Sequence, residues 1–507
     1  MSEKWIERRI ITGMIVSDDY LMRISKVWNP DFARSGTVRL LAQWCLDFFA
    51  KYGKAPKKDI EGIFTTHMRN GLDEDSSADI KDILDGLSDD YERDTFNAEY
   101  LLDETLAFFS KRNLETHTEQ IQGALNTGDV VEAERFAVSY NKIKALESTS
   151  TDPFSREAVA AAFKQAGQPL MRFGKAFGSM LDGQCVRDGF IAFMGPEKRG
   201  KSQYLLEFAM RGLIFDCNVV FFQAGDMSEA QQVKRICTWI ARKSTDEKYC
   251  GELLIPTIDC LNNQNDTCRE ADRQSSCGLF LGGTFEDLPT EDLMEIYKDN
   301  NKYIPCKNES CPKRKGTYWY TYRPSVEPLM EHEAYRLIHK FRRRFRKQFK
   351  LVTYPNETLT TTEIRSLLDT WERTEMFVPD IIVIDYADIL HADPDCSKYD
   401  FRNQENRKWQ RLRRLSQERH CLVVTATQSD ADSYKRELLT MSNFSETKTK
   451  FAHVTAMYGL NQTPREKSMG IMRINEIAVR EGDFDSEHSV HVLQRLQIGR
   501  PYLSSFF

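Results

Sequence analysis

The sequence predicts an α/β protein, with a parallel β-sheet covered by helices on both faces and an all-helical domain ahead of it. Three observations lead there. From Gly178 onward, continuous apolar runs rich in Val, Ile and Phe alternate with helical stretches, as strands buried on both faces require. One such run, Phe190–Met194, leads through a glycine-bearing turn into a helical stretch, Gln203–Met210. Residues 1 to about 145 instead carry apolar residues at helical spacing and no strong strand pattern.

Composition sets the outer bounds. A chain of 507 residues exceeds one ordinary domain, and its 41% hydrophobic content suffices for real cores. No apolar run approaches the length that spans a membrane. The first residues, Met-Ser-Glu-Lys-Trp, lack the apolar core of a signal peptide. The expectation is a cytoplasmic protein without membrane contact. Its 12 cysteines then favour metal binding or burial over disulfides. A net charge of −6 excludes a surface coated in positive charge. Nucleic-acid binding would need a local patch, such as the inner wall of a ring.

The helical domain is assigned to residues 1–146. Trp5, Ile6, Ile10, Met14 and Ile15 recur at helical spacing, as do Leu40, Leu41, Trp44, Leu46, Phe48 and Phe49. A long helix runs from Ala98 to about Leu125, Gly128-Asp129 breaks it, and another starts at Val130. Residues 147–177 have linker composition and contain a short amphipathic helix near 155–164. Residues 178–507 form the sheet domain, with strands at Phe190–Met194, Val219–Phe222, Ile381–Ile384, Cys421–Ala426, Val454–Leu460 and Ile474–Val479. Residues 250–335 are polar, cysteine-bearing and irregular; they read as an insertion with its own organising element.

Gly195, Pro196, Glu197, Lys198, Arg199, Gly200, Lys201 and Ser202 fit the phosphate-binding loop pattern, Gly-x4-Gly-Lys-Ser. Strand, glycine loop and helix are the arrangement this chemistry needs. Backbone N–H groups at the helix start cradle a polyphosphate, Lys201 reaches the β- and γ-phosphates, and Ser202 holds Mg²⁺. ATP and Mg²⁺ are the expected cofactors. Pro379–Asp385 is an apolar strand ending in an acid, which places Asp385 to hold Mg²⁺ beside the loop. Two further strand tips carry Asp226 and Gln428. The first can polarise an attacking water and the second can sense a terminal phosphate, or either can cap the following helix.

These residues resemble the DnaB family of hexameric replicative helicases, of the kind phage genomes often encode. Ile384-Asp385-Tyr386 is similar to the end of the family's Walker B strand. Residues 351–365 resemble the segment before it, Gln404–Arg407 with Val423–Gln428 the next motif, and Leu439–Glu446 the loop that follows. Residues 1–145, including Tyr52-Gly-Lys-Ala-Pro56, resemble the family's helical N-terminal domain, and the 155–164 helix sits where members dock onto a neighbouring subunit. The resemblance implies a RecA-like ATPase core in a homo-hexamer moving on single-stranded DNA in the host cytoplasm, with a primase and a helicase loader as partners. It implies DNA-facing loops around 403–412 and 432–450, with charge from Arg402, Arg407, Lys435, Arg436, Lys448 and Lys450. The family's catalytic glutamate is matched by Asp226, one methylene shorter, with Glu229 as a second candidate. Its arginine finger is matched by Arg480, within Ala478-Val-Arg-Glu-Gly482, where Ala478 replaces a family lysine. Two other readings share the core: a recombinase-like filament former or loader, and a regulatory ATPase that does not translocate.

Cys260, Cys268, Cys306 and Cys311 bracket the insertion, with Cys277 between them. Four thiols in a polar, irregular segment suit a structural zinc, with Cys277 as a substitute ligand; unrelated free thiols are the alternative. The most basic run, His339–Lys350, places Phe341, Phe345 and Phe349 four residues apart. It reads as a helix packed by its aromatic face, its charges solvated or set against DNA phosphates or an acidic neighbour.

Overall fold

The computed structural model describes residues 3–69, 71–91, 97–139, 154, 156, 159–160, 163, 168–225, 227–281, 293–396, 398–430, 433, 437–440, 448–480 and 489–507. The chain divides into two compact units, Met1–Ala160 and Ala161–Phe507.

The first unit is helical: Glu3–Val16, Asp18–Ile24, Gly36–Tyr52, Asp59–Arg69, Glu74–Tyr91, Ala98–Asn126 and Val130–Ser139. Its core gathers the apolar stripes of these helices, including Ile10, Met14, Leu41, Trp44 and Phe109. Inside it the Tyr20 hydroxyl meets Thr105 Oγ1 at 2.6 Å, so this buried phenol is not left without a partner. The predicted linker helix near 155–164 lies largely outside the described residues.

The second unit is built on a nine-stranded sheet. Its strands are β1 (Phe190–Gly195), β2 (Val219–Gln223), β5 (Phe349–Thr353), β6 (Ile381–Asp385), β7 (Leu422–Gln428), β8 (Ala456–Asn461), β9 (Ile471–Val479), β10 (Ser489–Arg495) and β11 (Arg500–Phe506). Their order is β11-β10-β9-β8-β1-β7-β6-β2-β5. The six strands from β8 to β5 are parallel, and β9, β10 and β11 extend the sheet antiparallel. Alternate residues of each central strand enter opposite cores. Ile191, Phe193, Phe221 and Val383 pack with Leu205 and Phe208 of the Lys201–Ile214 helix. Phe190, Ala192, Met194, Phe222 and Ile384 pack with Ile364, Trp409 and Leu412. Burial on both sides explains the unbroken apolar runs in the sequence.

Three elements differ from the sequence reading. His339–Lys350 is not one helix: a helix covers Glu331–Arg342, the chain turns, and Phe349 opens β5. Phe341, Phe345 and Phe349 still reach one core, from a helix, a turn and a strand. Strands β10 and β11 were not read from the sequence. The insertion is also more regular than expected. Strands β3 (Leu253–Cys260) and β4 (Gly316–Arg323) form an antiparallel hairpin. Its Leu254, Ile258, Tyr318, Trp319 and Tyr320 pack on Met469, Ile471, Leu493 and Phe506 of the antiparallel edge.

Candidate nucleotide site

The site forms where strands β1, β6 and β7 end together. Gly195 is level with Gln428 across β1 and β7, and Gln223 is level with Asp385 across β2 and β6. Parallel strands deliver their C-terminal tips to one edge, which is where open α/β sheets bind ligands. The loop after β1 closes on Gly200, at φ +85° in the left-handed region, and the Lys201–Ile214 helix starts from it. Only glycine takes that conformation without strain. The helix therefore presents its first N–H groups toward the loop.

Side chains converge on this edge. Lys201 is buried, and its Nζ donates to Gly195 O at 2.8 Å and Pro196 O at 3.0 Å. The same amine lies 5.8 Å from the centre of the Tyr386 ring. The Ser202 hydroxyl donates to Asp385 Oδ1 at 3.0 Å, and Asp385 is fully buried. Gln428 Nε2 donates to Glu197 Oε1 at 3.0 Å, tying the tip of β7 to the loop. A hydroxyl beside a carboxylate is a hard-oxygen pair of the kind that suits Mg²⁺.

Asp226 lies outside the described residues, and its neighbours in the chain are described. Gly225 has φ +120°, and a Cβ there would stand 2.2 Å from Asn356 Cα. Ser228 caps the Glu229–Ala241 helix, its hydroxyl accepting from Gln231 N while Gln231 Oε1 accepts from Ser228 N. Glu229 is exposed in the first turn of that helix.

Arg480 does not join this edge. It follows β9, its N–H donates to Thr455 O at 2.8 Å, and Thr455 N donates to Phe190 O at 2.8 Å. That places it beside the first residue of β1, whereas the phosphate loop follows the last. Strand rise puts the two ends about 16 Å apart. Arg480 is exposed, with Nη2 donating to Ala452 O at 2.7 Å. Burial, then the Arg480 cation, lowers the pKa of His453. His453 Nε2 stands 2.7 Å from Asn406 Oδ1, on the Phe401–Glu418 helix.

A buried ionic network lies behind the tip of β7, and the sequence reading did not find it. Asp388 Oδ2 accepts from Thr427 Oγ1 at 2.8 Å and Gln428 N at 2.9 Å, and its Oδ1 accepts from Lys450 Nζ at 2.7 Å. Lys450 also faces Glu405 Oε2 at 3.3 Å and is 1% exposed. Burial pushes its pKa down, but Asp388 and Glu405 outweigh that and leave it raised. Lys450 was expected among the DNA-facing charges; its burial in this network corrects that. Lys435 and Arg436 lie outside the described residues, while Arg402 and Arg407 are exposed on the Phe401–Glu418 helix. The only signal for the network was a second acid three residues after Asp385.

The zinc expectation is not met by side-chain geometry. Among the described residues no three His, Cys, Asp or Glu side chains stand together as metal ligands, and all 12 cysteines are free. No described helix is long and apolar enough to cross a membrane.

This sheet, with its phosphate loop at the tip of the central β1, has a RecA-like core fold. The whole chain has the fold of a DnaB-like replicative helicase whose structure was described with its interactions with primase, at a TM-score of 0.52 and 14% sequence identity, covering 99% of this chain and 100% of that one. A solved ATPase domain matches 69% of this chain, and 98% of its own, at a TM-score of 0.43 and 14% identity. No family model matches the sequence, and no curated protein matches it.

Proposed function

We propose that the chain is an ATP-driven, ring-forming motor that translocates on single-stranded DNA and unwinds duplex. The observation that carries this is the 3.0 Å contact between Ser202 and Asp385, at the mouth of a phosphate loop in a helicase fold. The helix start at Lys201 and the left-handed Gly200 fit a polyphosphate, and the Ser202–Asp385 pair fits its Mg²⁺. Bound ATP supplies the phosphoanhydride whose hydrolysis drives movement. Lys201 binds its β- and γ-phosphates, Gln428 senses the terminal phosphate, and Asp226 orients the attacking water.

Arg480 serves a neighbouring copy. Its place beside Phe190, far along the strand from its own loop, supports action between subunits. The assembly proposed is a homo-hexamer in the host cytoplasm. Residues 1–146 form its N-terminal domain, 147–177 the linker docked on a neighbour, and 178–507 the motor. Exposed Arg402 and Arg407, with Lys435, Arg436 and Lys448, are the charges proposed for DNA phosphates. A primase and a loader are the proposed partners.

Strand displacement on forked DNA with ATP, alongside electron microscopy of the particles, tests this. Closed rings that separate strands support it. ATP hydrolysis without displacement favours a regulatory ATPase, a reading supported by Asp226 standing where the resembled family has glutamate. Open filaments favour a recombinase-like protein.

A further inference from the structure

We propose that Cys260, Cys268, Cys306 and Cys311 bind one structural zinc ion, which fixes the 261–315 connection onto the β3–β4 hairpin. This is separate from the motor reading.

The four residues come from different stretches of chain and share one cavity. Cys260 ends β3, Cys268 follows the Leu261–Gln264 helical turn, and Cys306 and Cys311 lie on the return toward β4. All four line a single small cavity of about 10 Å³, on the order of the space one water centre occupies. That suits one ion rather than a cluster. Cys277, the other thiol of the insertion, is exposed and does not line it. The Cys306–Cys311 spacing, four residues between the thiols, falls within the range of zinc-ligand pairs.

The backbone around the cavity is held in place independently of any ion. Asp259 is fully buried, and its Oδ1 accepts from the N–H of both Cys260 and Cys306, each at 2.7 Å. Its Oδ2 accepts from Gln264 and Tyr303 at 2.8 Å each. One carboxylate thus clamps two of the cysteines side by side. Cys268 N donates to Asn262 O at 3.0 Å, and Arg314 N donates to Cys311 O at 3.2 Å, closing a turn after Cys311. The sulfurs do not stand in a tetrahedron. Binding therefore requires the thiols to turn about χ1 toward the cavity that their residues line.

Charge supports the assignment. Four thiolates around Zn²⁺ carry a net charge of −2, and the four protons leave to solvent on binding. Arg273 and Arg314 line the same cavity with Glu270 and Asp272, and Arg273 is already paired with Asp266. Arg314 Nη2 is buried and has no acceptor, an arrangement that costs free energy unless an anionic acceptor is nearby. A thiolate sulfur would provide one. Between β3 and β4 the described helices are Leu261–Gln264 and Leu293–Asp299.

The test uses the full chain, purified without chelator. Elemental analysis is expected to give about one zinc per chain. Replacing zinc by cobalt should produce a thiolate-to-cobalt charge-transfer band with tetrahedral d–d absorption. Cys311→Ser should lose most of its zinc, and Cys277→Ser should keep it. Zinc-free wild-type protein that also gives no cobalt band overturns the proposal, whatever the variants do. Equal zinc loss from Cys277→Ser and Cys311→Ser overturns this choice of ligands.

Discussion

The Ser202 hydroxyl and the Asp385 carboxylate meet at 3.0 Å although 183 residues separate them in the chain. Parallel pairing causes the meeting. β1 and β6 both border β7, so all three strands end on one side of the sheet. The proposed binding of ATP and its Mg²⁺ within one chain rests on that shared edge.

Lys201→Ala removes the one buried amine held against the loop carbonyls. ATP turnover should fall by at least about a hundredfold, with the far-ultraviolet circular dichroism spectrum unchanged. Turnover equal to the parent would remove Lys201 from the phosphate site.

At Asp226 the expected outcomes run in opposite directions. Asp226→Glu restores the longer reach of the resembled family and should hydrolyse ATP as fast as the parent or faster. Asp226→Ala should lose roughly 10²–10⁴-fold, the usual worth of a positioned general base. If steady-state rates show Asp226→Ala unimpaired, the base lies elsewhere and Glu229 is the next residue to change.

Arg480→Ala should bind nucleotide and assemble normally yet hydrolyse poorly, because a finger acts on charge that develops in the transition state. Mixing it with Lys201→Ala chains pairs some intact Lys201 sites with intact Arg480 residues, and part of the activity should return. No recovery, with subunit exchange shown independently, would confine Arg480 to its own chain.

Lys450→Met strands Asp388 without its cation, while Glu405 keeps its ion pair with Lys408. Breaking a buried pair in this way costs about 3–5 kcal/mol, which a urea unfolding curve would register as a lower midpoint. A variant as stable as the parent would mean that water reaches the network.

The parallel strands and the phosphate loop were legible because burial on both faces leaves unbroken apolar runs such as Ile381–Ile384. β10 was missed for the opposite reason. His491 interrupts its buried Val490 and Val492, the alternation of an antiparallel strand with one face less covered. Phe349 was misassigned because a four-residue aromatic period looks helical, while pairing with β2 decided the outcome. Lys450 was read as a surface charge because nothing local shows that Asp388 and Glu405 will close over it. The four cysteines were picked out by type and spacing, but their common cavity also draws on Asp259, whose bonds hold Cys260 and Cys306 side by side.

The β3–β4 hairpin also has a history in time. Arg495 donates to Leu254 O at 2.8 Å, a bond between residues 241 positions apart. At ribosomal speeds that interval lasts on the order of ten to fifty seconds. Trp319 and Tyr320, buried in the finished protein against the antiparallel edge, leave the ribosome well before β9, β10 and β11 exist to cover them. A nascent chain carries that aromatic face uncovered by β9–β11 through the wait, and offers it to a holding chaperone.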